Sequence, residues 1–280
     1  MLAVIGGSGI YDLEETQQGE TFEVETPFGR ASDPLHMARI GQTDVLFLAR
    51  HGAGHVYSPS SVPYRANVFA LKKLGATRLL SLSAVGSLRE ELPPRSLVTP
   101  DQIIDRTIRH ERSFFESGVV AHVGMADPFC ARLRAATGEA AELAGRPVRR
   151  DGTYVCIEGP QFSTRAESNL YRSWGATVIG MTAMPEARLA REAGLCYAML
   201  AMVTDYDVWH DAEEDVSVEV VNSHLRANSE SARAIIRQLV AGGLPERTCG
   251  CGLALEHAIM TAPELIPIEA RTWIRMLADK

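Results

Sequence analysis

Asp205 and Asp207, in the run Thr204-Asp205-Tyr206-Asp207, place two carboxylates two residues apart directly after the apolar stretch Cys196–Val203. At the period of a strand they project to one side, at the mouth of a buried strand. There each disfavours the other's ionisation, and burial adds to that shift. One of the pair then holds a proton near neutrality and serves as a general acid, or the two cap the loop before Trp209 as an Asx turn. Three further turns gather groups that bind anions. Gly6-Gly7-Ser8-Gly9 offers backbone N–H groups and a hydroxyl, Arg50-His51-Gly52-Ala53-Gly54-His55 a guanidinium and two imidazoles, and Ser81-Leu82-Ser83-Ala84-Val85-Gly86-Ser87 further hydroxyls. The first is neither a P-loop, since no Gly-Lys-Ser/Thr follows, nor a dinucleotide fingerprint, since Asp12 stands in place of the third glycine. Any one of these turns fits a purely structural role; their recurrence argues for a phosphate-sized anion. Phe162, after Glu158-Gly-Pro-Gln, offers an aromatic face that fits a base or a core, and Met181-Thr182 sets a thioether beside a hydroxyl.

Those turns must be held by strands. Leu2–Ile5, Val45–Ala49, Arg78–Leu82, Thr153–Ile157, Thr177–Ile179 and Cys196–Val203 read as strands, and Pro63–Leu74, Phe129–Leu143, Pro185–Ala193 and Val216–Leu239 as helices. Their alternation predicts an α/β fold: one domain with a mixed, largely parallel twisted sheet covered by helices, binding its ligand at the carboxyl ends of the strands. No linker divides the chain. The reading is a main domain over residues 1–243 and a helical tail over 244–280, packed on the same domain or on a neighbouring subunit.

Of 280 residues, 46% are hydrophobic and 22% charged, an ordinary globular balance. Lys plus Arg number 28 against 35 Asp plus Glu, a net charge of −7 without basic runs, so nucleic acid and anionic membranes are not expected partners. No apolar run reaches the roughly 20 residues of a membrane span, and no secretory leader is evident, so the expected compartment is the cytoplasm. Five cysteines are an odd set. Cys130, Cys156 and Cys196 read as isolated reduced core thiols; Cys249 and Cys251 form a C-x-C pair, as compatible with ordinary thiols as with a redox or disulfide pair, and too few for a structural zinc site.

Taken together, GGSGIYD at 6–12, RHGAGHVYSPSSVPYRANVFALKKLGA at 50–76, SAVGSL at 83–88 and MADPFC at 125–130 closely resemble the 5′-methylthioadenosine phosphorylases of the trimeric purine nucleoside phosphorylase group. So do EGPQFSTRAES at 158–168, WGATVIGMTAMPEARLAREAGLCYA at 174–198 and TDYDVW at 204–209. The resemblance covers nearly all of 1–240. It implies phosphorolysis of 5′-methylthioadenosine to adenine and 5-methylthioribose 1-phosphate, in purine and methionine salvage. Inorganic phosphate is then a co-substrate, with no metal and no organic cofactor, and the enzyme is a pentosyltransferase acting as a homotrimer or a dimer of trimers. By position, the resemblance assigns Ser8, Arg50, His51, Ser83, the amide of Ala84 and Thr182 to phosphate, with Ser8 and Ser83 standing where some relatives carry Thr. Phe162 and Ser163 become the wall against the base, and Met181 the residue under the ribose. His55, Val218 and Val221 meet the 5′ substituent, with His122 lent from a neighbouring subunit. Asp205 protonates purine N7 and Asp207 accepts from the 6-amino group, although how the two carboxylates divide these contacts stays open.

A carboxylate pair favours a 6-amino purine, whereas relatives that use inosine or guanosine carry Asn at the position of Asp205. Asn222 stands where some relatives have an apolar residue, which weakens the case for a methylthio group over a hydroxyl. The alternatives are a phosphorylase for methylthioinosine, inosine or adenosine, a hydrolytic nucleosidase, and a nucleoside-binding module without chemistry. Arg50 and the hydroxyl-rich turns argue against a nucleosidase, because attacking water needs a base rather than an anion cradle.

Overall fold

The computed structural model describes residues 1–7, 19–108, 111–210 and 216–279. Its first half contains β1 (Leu2–Gly6), β2 (Glu20–Phe22), β3 (Glu25–Thr26), β4 (Gly29–Arg30), β5 (Leu35–Ile40), β6 (Thr43–Ala49), α1 (Tyr64–Lys73), β7 (Arg78–Ser87), β8 (Leu97–Val98) and β9 (Gln102–Asp105). There follow α2 (Ala131–Leu143), β10 (Val148–Arg149), β11 (Thr153–Cys156), α3 (Arg165–Ser173), β12 (Val178–Gly180), α4 (Ala183–Glu192), β13 (Cys196–Asp205), α5 (Val218–Ala241) and α6 (Ile268–Ala278). The main sheet runs β10-β8-β13-β7-β1-β6-β5-β2, with β12 beside β7 and β11 between β12 and β9. Its centre, β13-β7-β1-β6, is parallel throughout. Every residue of β1 and β13 is buried, as expected of strands covered on both faces.

Alternation along β13 still sorts side chains between two cores. Tyr197, Met199, Ala201 and Val203 join the core under α1, α4 and α6; Cys196, Ala198, Leu200 and Met202 join the core under α2 and α5. The tail after α5 lies against the body of its own chain. Ile274 and Leu277 of α6 are buried, and Trp273 packs its ring on Phe28 and Phe115 at 5.6 and 5.4 Å between centroids.

The predicted strands and helices are found within a few residues of their expected ends. Helical backbone in α4 begins at Pro185, the predicted start, because Met184 is extended (φ −117°, ψ 134°). α5 starts two residues later than predicted, at the residue after Ser217, whose hydroxyl accepts from the Val220 N–H at 3.2 Å. β5 and α3 are additional to the elements read from sequence. Both carry local signals: Gly41, at φ 61°, makes the tight turn from β5 into β6, and Thr164 with Glu167 forms a capping box at the start of α3.

The cysteines call for a correction. The reading of isolated core thiols fits Cys156 but not Cys130 or Cys196, because the tail returns Cys249 and Cys251 to the start of β13. The four sulfurs of Cys130, Cys196, Cys249 and Cys251 lie within 4.8 Å of one another.

Where the central strands end, a charge pair is sealed inside. Arg50, 1% exposed, donates from Nε and Nη2 to the two carboxylate oxygens of Glu186 in α4 at 2.8 and 3.2 Å. It also donates to Ser81 Oγ at 2.8 Å and to the Leu82 carbonyl at 3.0 Å, while the Tyr197 hydroxyl donates to Glu186 at 3.0 Å. Burial works against the cation, but the charge and hydrogen bonds of Glu186 override it and hold the guanidinium above its ordinary range. The pair thus ties β6, β7 and β13 to α4. Breaking one half of such a pair strands the other charge, which costs about 3–5 kcal/mol. Glu186→Ala is therefore expected to lower unfolding stability by that amount in urea denaturation; a loss below about 1 kcal/mol, the level of a surface pair, contradicts the assignment.

Candidate active site

At the carboxyl edge of the central strands lies a cavity of about 560 Å³, within the usual range for a small-molecule site. The expected convergence of turns is what forms it. Gly7 follows β1, Arg50, His51 and His55 follow β6, Ser83 and Ala84 belong to β7, Met181 and Thr182 follow β12, and Asp205 and Asp207 end β13. Phe162, 42% exposed, lines the rim, and α5 contributes Val218, Val221 and Asn222. Ser163 is not part of the cavity wall; its hydroxyl lies against the Asp207 carboxyl and favours its ionised form. His122 lies elsewhere, in a second concavity with Arg188 and Glu192, its backbone N–H donating to the Ala258 carbonyl at 2.9 Å. Ser8 falls outside the described residues.

The two aspartates reach the cavity by a different route from simple strand alternation. The ladder between β13 and β7 is irregular between Val203 and Asp205, and Asp207 beyond it adopts a left-handed backbone with φ 57°. Asp205 Oδ1 accepts the Asp207 N–H at 2.8 Å, and Oδ2 accepts the Thr204 hydroxyl at 2.7 Å. The Asx turn and the cavity-facing acid, opposed as readings of the sequence, are therefore one arrangement. Burial is the chief reason that the Asp205 carboxyl is pushed up to about 6; the two hydrogen bonds oppose it, and repulsion from Asp207 is the smallest of these effects. Mutual repulsion, the expected cause, is thus secondary. Asp207 is also raised, chiefly by burial, with the nearby Ser168 hydroxyl pulling it back; its Oδ2 is buried with no partner at hydrogen-bonding geometry.

The same cavity is lined by the hydroxyls of Ser83 and Thr182, 3.3 Å apart. The expectation of an Arg50 fork holding two phosphate oxygens needs revision, because that fork is occupied by Glu186. Nε, both Nη2 hydrogens and one Nη1 hydrogen are engaged, so one Nη1 hydrogen remains for the cavity that Arg50 lines. His51 Nδ1 lies 2.9 Å from the Tyr57 carbonyl. A carbonyl only accepts, so Nδ1 carries the hydrogen, and in the neutral form of the ring Nε2 is the acceptor. The His51 ring stacks on His55 at 4.3 Å.

Several contributors escaped the sequence reading. Gly86 faces the acids: a Cβ there would sit 2.9 Å from Asp205 Oδ1 and 3.3 Å from Asp207 Cβ, so a side chain would displace both. Tyr154 stands behind Ser83 and Thr182, its phenol pushed up to about 12 by burial, and Gly180 leaves the room its hydroxyl occupies. Arg233 of α5 also lines the cavity, with a buried Nη1 lacking a partner. Gly86 sits in a quoted motif and was within reach; Tyr154 and Arg233 look like ordinary strand and helix residues in sequence.

Known proteins share both this sequence and this architecture. The profile described as the phosphorylase superfamily matches residues 1–241. The S-methyl-5′-thioadenosine phosphorylase of Geobacter sulfurreducens is 51% identical over 272 residues, covering 97% of this chain and 95% of that protein. Its namesake from Cereibacter sphaeroides is 52% identical over 266 residues, covering 94% and 92%. Among solved structures, a methylthioadenosine phosphorylase from an antarctic soil metagenomic library superposes with a TM-score of 0.92 at 45% identity, covering 99% of this chain and 98% of that one. Methylthioadenosine phosphorylase from Schistosoma mansoni in complex with adenine gives 0.84 at 39% identity, covering 88% and 93%. With a sheet whose strand ends converge on one cavity and a superfamily match over six-sevenths of its length, the chain belongs to the phosphorylase superfamily.

Proposed function

We propose that this cavity catalyses phosphorolysis of 5′-methylthioadenosine, releasing adenine and 5-methylthioribose 1-phosphate, with inorganic phosphate as co-substrate and no metal or organic cofactor in the reaction. The observation that carries the reading is that one cavity is lined both by two buried carboxylates and by the Ser83–Thr182 hydroxyl pair with Arg50. The relatives' names point to the same substrate.

In the reaction the C1′–N9 bond breaks, its electron pair passing into the purine, while a phosphate oxygen bonds to C1′. The transition state is a sugar cation, stabilised by phosphate on one face and reached more easily if the departing purine is protonated. Ser83, Thr182, the Ala84 amide and the remaining Arg50 hydrogen hold the phosphate, together with Ser8. His51 Nε2 accepts from a phosphate hydroxyl. Asp205, with its carboxyl raised to about 6, supplies the proton to N7, and the Asp207 carboxylate accepts from the 6-amino group. Phe162 covers the base with Ser163 behind, and Met181 lies beneath the ribose. His55, Val218 and Val221 face the 5′ substituent.

His122 lies outside its own chain's cavity, which supports its service to a neighbouring subunit and an active homotrimer or dimer of trimers. No described helix is long and apolar enough to cross a membrane. Cytoplasmic purine and methionine salvage is the setting that the proposed reaction fits.

Adenine release from methylthioadenosine is expected only with phosphate present, and the sugar should appear as its 1-phosphate; equal release without phosphate would identify a hydrolase instead. Thr182→Val should raise the KM for phosphate about 10-fold or more, the worth of a hydrogen bond to a charged group, while the nucleoside KM stays within a few-fold. The reverse pattern contradicts the phosphate assignment.

Asp205→Asn carries two opposite expectations. Activity on methylthioadenosine falls, and the decline of kcat/KM above about pH 6 that Asp205 produces as a proton donor is lost. Stability moves the other way. The folded state holds the Asp205 proton more tightly than the unfolded chain, so its stabilising effect is complete below the ordinary value of 3.8 and is lost as pH rises through about 6. At pH 7–8 the ionised carboxylate is a net cost, and its removal should raise stability by about 1 kcal/mol or more even after losing one accepted hydrogen bond. Thermal melts at pH 5 and pH 8 check this; a variant less stable at pH 8 than the parent contradicts a strained, buried acid.

A further inference from the structure

The cysteine cluster stands at the opposite end of β13 from the cavity. Nine residues separate Cys196 from Asp205, about 30 Å at the rise of a strand, so the two regions do not share chemistry. Cys130 caps the start of α2, Cys196 opens β13, and Cys249 and Cys251 flank Gly250 where the tail begins a short 3-10 turn. Cys130, Cys196 and Cys251 are buried and Cys249 is half-buried.

We propose that Cys130, Cys196, Cys249 and Cys251 form a tetrahedral thiolate site for one zinc ion, which pins the C-terminal tail to the sheet. The geometry carries the assignment. All four sulfurs lie within 4.8 Å of one another, with Cys130 to Cys249 at 3.7 Å and Cys196 to Cys249 at 3.4 Å. Metal–sulfur bonds of about 2.3 Å in a tetrahedron set the sulfurs about 3.8 Å apart, so the thiols already outline the polyhedron. Four soft sulfur donors in that shape select zinc over the hard oxygen-seeking cations.

The surroundings fit a negative metal–thiolate centre. The Leu133 N–H, in the first turn of α2, points at Cys130 sulfur, and Arg191 Nη1 lies 3.9 Å from Cys251 Sγ. Such N–H and guanidinium contacts offset the net −2 charge that zinc with four thiolates carries. A dication replaces the thiol protons, which leave to solvent, and no oxidation or reduction is involved.

The ligand set joins residues from three distant parts of the chain, and the consequence is an anchored tail. Just beyond Cys251, the Ala258 carbonyl accepts from the His122 N–H and the Met260 N–H donates to the Val120 carbonyl at 2.8 Å. Closer in, Arg247 Nη2 donates to the Gly194 carbonyl at 2.7 Å. Zinc fixes the segment that carries these contacts. In the sequence Cys249 and Cys251 alone are too few for zinc; the fold brings Cys196 of β13 and Cys130 before α2 beside them.

The test is elemental analysis of the full-length protein purified without added metal, followed by reconstitution of chelator-treated protein with zinc chloride, and with cobalt chloride as a spectroscopic probe. One zinc per chain is expected, together with the visible bands of tetrahedral cobalt–thiolate in the cobalt form. The double variant Cys249→Ser/Cys251→Ser should lose the metal and expose the tail to trypsin at Arg247 and Arg271 while keeping phosphate-dependent nucleoside cleavage. If that variant does not fold, the cobalt spectrum and the protease sensitivity of the chelator-treated parent decide the matter on the native chain. Four freely titrating thiols with no zinc retained after reconstitution would overturn the proposal. So would an intact mass lighter by two hydrogens for each disulfide formed within the cluster in freshly isolated protein.

Discussion

Removal of charge from water at the carboxyl ends of the central strands is the constraint on which the rest of this molecule depends. Two charged groups meet it in opposite ways. Arg50 is compensated in full, with a fork-to-fork contact to Glu186 and further acceptors from β7. Asp205 is compensated only in part, by one hydroxyl and one N–H, and stays close to neutrality as a result. The first arrangement fixes where three strands and a helix meet. The second leaves an acid available where those strands end.

The parallel sheet makes the two inseparable. Parallel strands β13, β7, β1 and β6 all end at one edge, so their turns are brought together by topology before any side chain is chosen. Small residues then admit the groups that matter. Gly86 opposes Asp205 across the irregular ladder, and Gly180 makes room for the hydroxyl of Tyr154 behind Ser83 and Thr182. Burial of the two acids at the end of β13 is the chief cause of their shift. In this way the cover that stabilises the fold also tunes the site.

How much of this could be read in the sequence follows from the range of each interaction. Buried parallel strands announce themselves as continuous apolar runs, and turns as clusters of glycine and hydroxyl residues, so the sheet, its binding edge and most of the cavity wall were legible. Partners distant in sequence were not. Nothing local marks Glu186 as the mate of Arg50, 136 residues away, so Arg50 read as an open fork. Period-two reasoning placed Asp205 and Asp207 together, but the turn that joins them depends on a left-handed residue that the strand pattern does not contain. Cys130 and Cys196 looked isolated because the residues that approach them come from the tail. The β5 and α3 signals were present in the sequence as a tight glycine turn and a Thr-x-x-Glu box, and were passed over beside stronger apolar runs.

The central claim is that burial, rather than a neighbouring charge, keeps a proton on Asp205. Carbon-13 NMR of the labelled aspartate carboxyls, titrated in the parent and in Asp207→Asn, measures it directly. The account predicts a midpoint near 6 in the parent that moves little when the Asp207 charge is removed. A midpoint near the ordinary value of 3.8 in the parent, or a collapse to that value in the variant, would contradict it.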